Sequence, residues 1–320
     1  MDKWIVYILL AVCLPSYGQA NGNKQVKQGT DSLQNDTVMP YSVDSLVHTY
    51  MESGRVKSEN GDKLGAIAEY NKVIEIDSNY AVAYYKRGNQ NADLGKNEDA
   101  ITDYNKAIEI NPDYAFAYSN RGTVKAALGD HTGAITDYNK AIEIKPDFAL
   151  AYSNRGKAKA DLGNNIEAII DYDKAIEINP NYAIAYSGRG TVKAALNNNT
   201  GAIADYDKAI EINPNYAIAY TNRGVAKATL NNNTGAIADY DKAIEINPNY
   251  PLAYTNRGKA KADLDNNIGA IADYDKAIEI NPNYAIAYYN RGNLKSDMGD
   301  FEGALADYNK TLKIKPDHIG

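Results

Sequence analysis

Apolar positions along this chain follow a helical period that stops and restarts twice in every 34 residues. Residues 217–250, AIAYTNRGVAKATLNNNTGAIADYDKAIEINPNY, carry one full cycle. In its second half Ala236, Ile237, Tyr240, Ala243 and Ile244 stand at i, i+1, i+4, i+7 and i+8, the core stripe of an amphipathic helix. In its first half Tyr220, Gly224 and Leu230 share a face with the small residues Ala219 and Ala226. Residues 231–233 read as the turn between the halves, because asparagine tolerates left-handed backbone angles. Asn247-Pro248 ends the second helix, since proline disfavours helical geometry in the residue before it. Each cycle therefore predicts a hairpin of two short antiparallel helices.

The cycle recurs along most of the chain. Full copies begin at Ala81, Ala115, Ala149, Ala183, Ala217, Pro251 and Ala285, and the last ends at His318, so that 318 − 80 = 238 = 7 × 34. An eroded copy, residues 47–80, precedes them and keeps Tyr50, Gly54, Ala66, Tyr70 and Tyr80, with Ser78 in the proline place. A fixed period of this length marks stacked repeats. One hairpin cannot cover its own apolar face, so the next must. Gly224 and Ala236 leave room for close backbone approach, and the bulky Tyr220 and Tyr240 fill the spaces between hairpins.

The pattern resembles the tetratricopeptide repeat (TPR), whose signature runs W-x2-L-G-x2-Y, then A-x3-F, then P. Here Tyr220 takes the Trp place, Gly224 is the glycine, Ala236 the alanine, Tyr240 takes the Phe place and Pro248 is the proline. The resemblance covers residues 47–318. It implies an all-α fold, a TPR-type α-solenoid in which helical hairpins form a right-handed superhelix. It also implies that the first helices line a concave surface where partners bind. Two places depart from the signature. The Leu place holds arginine in all seven full copies (Arg87, Arg121, Arg155, Arg189, Arg223, Arg257, Arg291), and the second Tyr place holds Asn91 and then lysine. Each arginine has an aspartate 16 residues on, as Arg223 has Asp239. This spacing reads as a partly exposed ion pair inside each hairpin, contributing about 1 kcal/mol or less.

Copies 183–216 and 217–250 differ at five places, Ser187/Thr221, Gly188/Asn222, Thr191/Val225, Val192/Ala226 and Ala195/Thr229. All lie in the first helix, so the packing frame is copied while the inner surface is edited. That surface is expected to carry a peptide-binding ladder of Asn120, Asn154, Asn222, Asn256 and Asn290, with Gly188 and Lys86 as exceptions. A carboxamide both donates and accepts, so it can meet a peptide's C=O and N–H without reading its side chains. The column resembles the asparagine ladder of the O-GlcNAc transferase TPR superhelix, which holds the backbone of extended peptides. Ser119, Ser153, Ser187, Thr221 and Thr255 are expected to line the same groove. The carboxylate clamp of chaperone-binding TPR proteins needs lysines where this chain has Tyr85 and Leu150, and is set aside.

The remaining sequence suggests where the array works. Residues 1–20 hold Lys3 and an unbroken apolar run of 11 residues from Trp4 to Leu14. That is shorter than the roughly 20 residues a membrane-spanning helix needs. It reads as a signal peptide cleaved near Gly18 or Ala20. Residues 21–46 are polar and read as a flexible linker; residues 47–80 are a degenerate unit, 81–318 the full units and 319–320 a tail. The expectation is export, to the periplasm or as a secreted protein. Membrane contact would arise only through a lipid on Cys13, whose preceding Val12 departs from a lipobox. A net charge of −7 gives no footprint for nucleic acid. One cysteine and three scattered histidines suggest no disulfide, no metal and no cofactor. Without a phosphate-binding loop or a base beside a nucleophile, the chain is expected not to be an enzyme. It reads as a scaffold for extended protein or peptide segments. Alternatives are a structural spacer that self-assembles as a homo-oligomer through its C-terminal end, and an accessory subunit of a cell-envelope complex.

Overall fold

A computed structural model describes residues 42–316. The expected signal peptide with Cys13, most of the expected linker and the last residues of the chain lie outside the described residues. All regular structure among the described residues is α-helical, in eight hairpins. The first four pair α1 (Val43–Glu59) with α2 (Lys63–Ile76), α3 (Ala81–Asp93) with α4 (Asn97–Ile110), α5 (Ala115–Ala127) with α6 (His131–Ile144), and α7 (Ala149–Asp161) with α8 (Asn165–Ile178). The others pair α9 (Ala183–Ala195) with α10 (Asn199–Ile212), α11 (Ala217–Thr229) with α12 (Asn233–Ile246), α13 (Pro251–Ala262) with α14 (Asn267–Ile280), and α15 (Ala285–Asp297) with α16 (Phe301–Ile314). The first helix starts one turn earlier than the repeat register, at Val43, where the Ser42 side chain accepts a hydrogen bond from the Ser45 N–H.

The turns follow the expected chemistry. One residue in each hairpin turn takes a positive φ, which Gly95, Gly129 and Gly163 adopt freely. Asn197 and Asn231 take the same place at φ 62° and Asp265 at 60°, residue types that tolerate the left-handed region better than most. Six of the second helices are capped by an Asp or Asn whose oxygen accepts from a glycine N–H three residues on, as Asn232 does from Gly235 at 2.9 Å. Each second helix then stops at an extended residue such as Asn247, followed in the full units by proline.

Between hairpins the core is built from alanine and tyrosine. Ala236 and Tyr240 of one unit pack against Ala260 of the next, and Ala202 and Tyr206 pack against Ala226 in the same way. Alanine lets the helices approach, and the second-helix tyrosine rings crowd the glycine of their own first helix in every unit but that of Tyr172. A Cβ added at Gly224 would lie 2.6 Å from Cε1 of Tyr240, so no larger residue fits there. Every hairpin also packs its first helix on the second helix of the hairpin before it. Successive first helices touch one another as well, and successive second helices do not pack in that way. The wall therefore bends toward its first helices, which line the inner side.

Candidate functional site

The inner side carries the sequence-predicted ladder, but its parts do different work. Ser119, Ser153, Ser187, Thr221 and Thr255 do not line an open groove; Ser119 and Thr221 are 0% exposed and the other three nearly so. The aromatic residue that ends each unit covers this position. Tyr250 hydrogen-bonds the Thr221 side chain, and where the position holds Tyr85 its ring lies 4.9 Å from that of Tyr114. The hydroxyls of Ser119, Ser187 and Thr255 have no hydrogen-bond partner, so polarity is not what places a serine or threonine there.

The asparagines stand between successive first helices. Asn120 Nδ2 donates to Asn89 Oδ1 at 2.9 Å and to the Tyr85 hydroxyl at 3.2 Å. Asn154 and Asn222 donate to Thr123 and Thr191, each one unit back, at 3.3 and 3.5 Å. The same acceptors receive a second-helix tyrosine: Tyr104 donates to Asn89 at 2.9 Å, Tyr138 to Thr123 at 3.3 Å and Tyr206 to Thr191 at 3.2 Å. These three asparagines thus tie neighbouring hairpins together, and Asn222 is buried. Asn256 and Asn290 are half-buried and make no such bond. Their counterparts one unit back are Val225, which offers no acceptor, and Lys259, whose ammonium only donates.

The exception at Gly188 has a consequence visible only in three dimensions. Lys157, one unit back, turns to Asp161 at 2.9 Å and offers Tyr172 no acceptor, but Val225 and Lys259 offer none either and Tyr240 and Tyr274 stay against Gly224 and Gly258. What sets this unit apart is Gly188 itself, whose missing side chain leaves the space that the Tyr172 ring enters. A Cβ there would lie 2.6 Å from the ring.

Sequence reasoning passed over what the inner side does expose. The second residue of each first helix is apolar in every full unit: Val82, Phe116, Leu150, Ile184, Ile218, Leu252 and Ile286. Val82, Phe116 and Ile184 are exposed and the others half-buried. The Phe116 ring lies edge-on to Phe148 at 5.0 Å, so the aromatic that ends a unit flanks this column. Burial, with the Tyr250 phenol beside it, pushes the Tyr284 hydroxyl up to about 12. The signal was present in the sequence: the apolar residue precedes the buried alanine (Ala83, Ala117) and so falls off the stripe that packing requires.

On the side facing the second helices, the expected ion pairs form. Arg223 Nη2 donates to Asp239 at 2.5 Å, and its guanidinium stacks 5.4 Å from the centre of the Tyr220 ring. Two features exceed the expectation. Lys227 also meets Asp239, at 2.8 Å, and Nη1 of Arg223 reaches Asp207 on the preceding hairpin at 2.6 Å. The arrangement recurs along the array, with Asn71, Asn105 and Asn139 accepting from the arginine in the earlier units. The aspartates of these pairs are buried, so the pairs are not the weak surface contacts that the spacing alone suggested. At Asp307 burial raises the carboxyl, but the hydrogen bonds and charges of Arg291 and Lys295 outweigh it and leave the group below its ordinary 3.8.

Comparison with known families settles the classification. The family model described as TPR repeat matches residues 88–129, 123–163, 190–231, 228–265 and 262–299, and those described as tetratricopeptide repeat match 47–80, 149–182 and 285–318. The chain belongs to the TPR family. Its array is an all-α TPR solenoid, and as a TPR protein it is built as a protein–protein interaction scaffold, in a family that is generally non-catalytic. A TPR protein from Parabacteroides merdae is 21% identical, with 78% of this chain and 99% of that one covered at a TM-score of 0.63. The APC/C hetero-tetramer Cut9–Hcn1 matches at 17% identity and TM-score 0.64, over 89% of this chain and 55% of that one. Pseudomonas aeruginosa pilF matches at 17% identity and TM-score 0.57, over 64% and 93%. At these identities the likeness is one of fold. None of the curated proteins matches the chain. Among the described residues no helix is long and apolar enough to cross a membrane, and no cluster of His, Cys, Asp or Glu is arranged to hold a metal ion.

Proposed function

We propose that this TPR protein is an exported, non-catalytic scaffold that holds an extended segment of a partner protein along its inner face. The observation that carries the reading is the apolar column running from Val82 to Ile286, one side chain in each of the seven full units, which packing leaves exposed or half-exposed on the inner side. Exposed apolar side chains at a fixed spacing suit a partner that presents apolar residues along an extended chain. Asn256 and Asn290, which do not bridge hairpins, supply the amides that meet the partner's backbone, while Asn120, Asn154 and Asn222 chiefly hold the wall together. Export rests on the apolar run from Trp4 to Leu14.

The test is a comparative capture from the protein's own cells. Ile184→Ser, Ile218→Ser and Leu252→Ser together remove the centre of the column without touching an interhelical bond. A partner held by the unaltered protein should be lost by this variant, and weakened by Asn256→Ala with Asn290→Ala. Lys242→Ala with Glu245→Ala, on the outer helix surface, should leave it bound. Partners that survive loss of the column, with the helical spectrum intact, would place binding elsewhere.

A further inference from the structure

The units are not all alike, and their differences have a longer period of their own. Counting from the first residue of a unit, the ninth is basic, the thirteenth acidic and the eighteenth a branched aliphatic in only three of the eight units. These are Arg55, Glu59 and Leu64 in residues 47–80; Lys157, Asp161 and Ile166 in 149–182; and Lys259, Asp263 and Ile268 in 251–284. The spacing is constant, 157 − 55 = 102 and 259 − 157 = 102, which is three units each time. Elsewhere the eighteenth residue is Glu98, Thr132, Thr200, Thr234 or Glu302.

Folding does not call for these aliphatics. All three stand in the first turn of a second helix, at the edge where the hairpin turns, with Leu64 and Ile166 each 63% exposed and Ile268 83%. The charged residues beside them are one helical turn apart on the first helix: Arg55 pairs with Glu59 at 2.5 Å and Lys157 with Asp161 at 2.9 Å. Each of these units therefore carries an uncovered aliphatic at the turn edge and one cation and one anion on the first helix that leads to it. The middle patch is the largest, because Ile170 follows Ile166 by one turn and is exposed as well.

We infer that this edge is an interface with a second copy of the same chain, laid alongside in the opposite direction. A second copy carries patches at the same spacing of three hairpins, which an unrelated partner has no reason to share. Antiparallel alignment about a two-fold axis sets residues 47–80 against residues 251–284 of the copy, and the middle patch against itself. That is the self-matching contact a two-fold dimer requires. Because each patch carries both charges, the cation of one copy meets the anion of the other, and the isoleucines close over one another between them. Arg55, Lys157 and Lys259 stand on the first helices at the place that Thr123 and Thr191 fill in other units, so the interface reaches from the turn edge to the rim of the inner side.

Light scattering and sedimentation velocity on the full chain, over a range of concentrations, test it. The chain should dimerise, and Leu64→Thr with Ile166→Thr and Ile268→Thr should weaken the dimer at least about tenfold. Threonine is what Thr132, Thr200 and Thr234 already provide at this place, so the hairpins should still fold, as circular dichroism would check. A second pair of variants reads the charges: Arg55→Glu, Lys157→Glu and Lys259→Glu in one, and Glu59→Lys, Asp161→Lys and Asp263→Lys in the other. Each alone should be monomeric and their equimolar mixture should form a mixed dimer. A chain monomeric at about 0.1 mM, a dimer indifferent to both sets, or a mixture that stays monomeric overturns the inference.

Discussion

Replacing Asp239 by asparagine tests how the array is held together. The carboxylate is 5% exposed and takes Arg223 at 2.5 Å and Lys227 at 2.8 Å, both cations being mostly covered. Asparagine keeps the shape but removes the charge that both cations share. Arg223 and Lys227 are then left facing each other with no anion inside the hairpin. Losing one member of a buried pair costs about 3–5 kcal/mol when the remaining charge cannot reach water. Lys227 can extend outward, so the lower end, about 3 kcal/mol, applies here. Asp207 is the internal control. It accepts from the same arginine at 2.6 Å but is 53% exposed. Asp207→Asn should cost under about 1 kcal/mol, because Asn105 and Asn139 already accept from arginine in the equivalent place at 2.6 and 2.7 Å. Stability in a stacked array is local, so the assay is amide hydrogen exchange read hairpin by hairpin. Asp239→Asn should raise exchange across residues 183–250 and leave residues 81–114 unchanged. Equal effects of the two substitutions, or an effect spread evenly over the array, would refute the account.

Two further outcomes follow from the packing. Gly224→Ala forces a Cβ to 2.6 Å from the Tyr240 ring, whereas at Gly156 the nearest Tyr172 ring atom is 3.4 Å away because that ring has moved toward Gly188. Urea denaturation should therefore show Gly224→Ala destabilising by about 1–3 kcal/mol and Gly156→Ala by clearly less. Burial raises the Tyr138 and Tyr206 phenols from 10.0 to about 12. The folded state keeps its proton where the unfolded chain has lost it, so stability is intact below pH 10 and falls as pH rises from 10 to about 12, by about 3 kcal/mol per tyrosine. Thermal melts between pH 9 and 12 should decline through that window, and Tyr138→Phe with Tyr206→Phe should make the decline shallower, the other buried tyrosines still contributing.

Much of this was legible in one dimension because a stacked array repeats its local rules. Helix period, turn residues and the proline stop all act within a few residues of one another. The sequence therefore determined the helical hairpins and the arginine–aspartate pairing at a spacing of 16, though not where the first helix starts. What it could not decide is which polar residue faces water, because that depends on the next hairpin. Ser119 and Thr221 sit on the inner side yet lie under the aromatic that closes their own unit. Asn120 and Asn154 spend an amide on a helix 31 residues away. The Tyr172 ring crosses into the space that Gly188 leaves on the next hairpin. Exposure is a property of neighbours brought together by stacking, and contacts between hairpins are written in the tertiary structure alone.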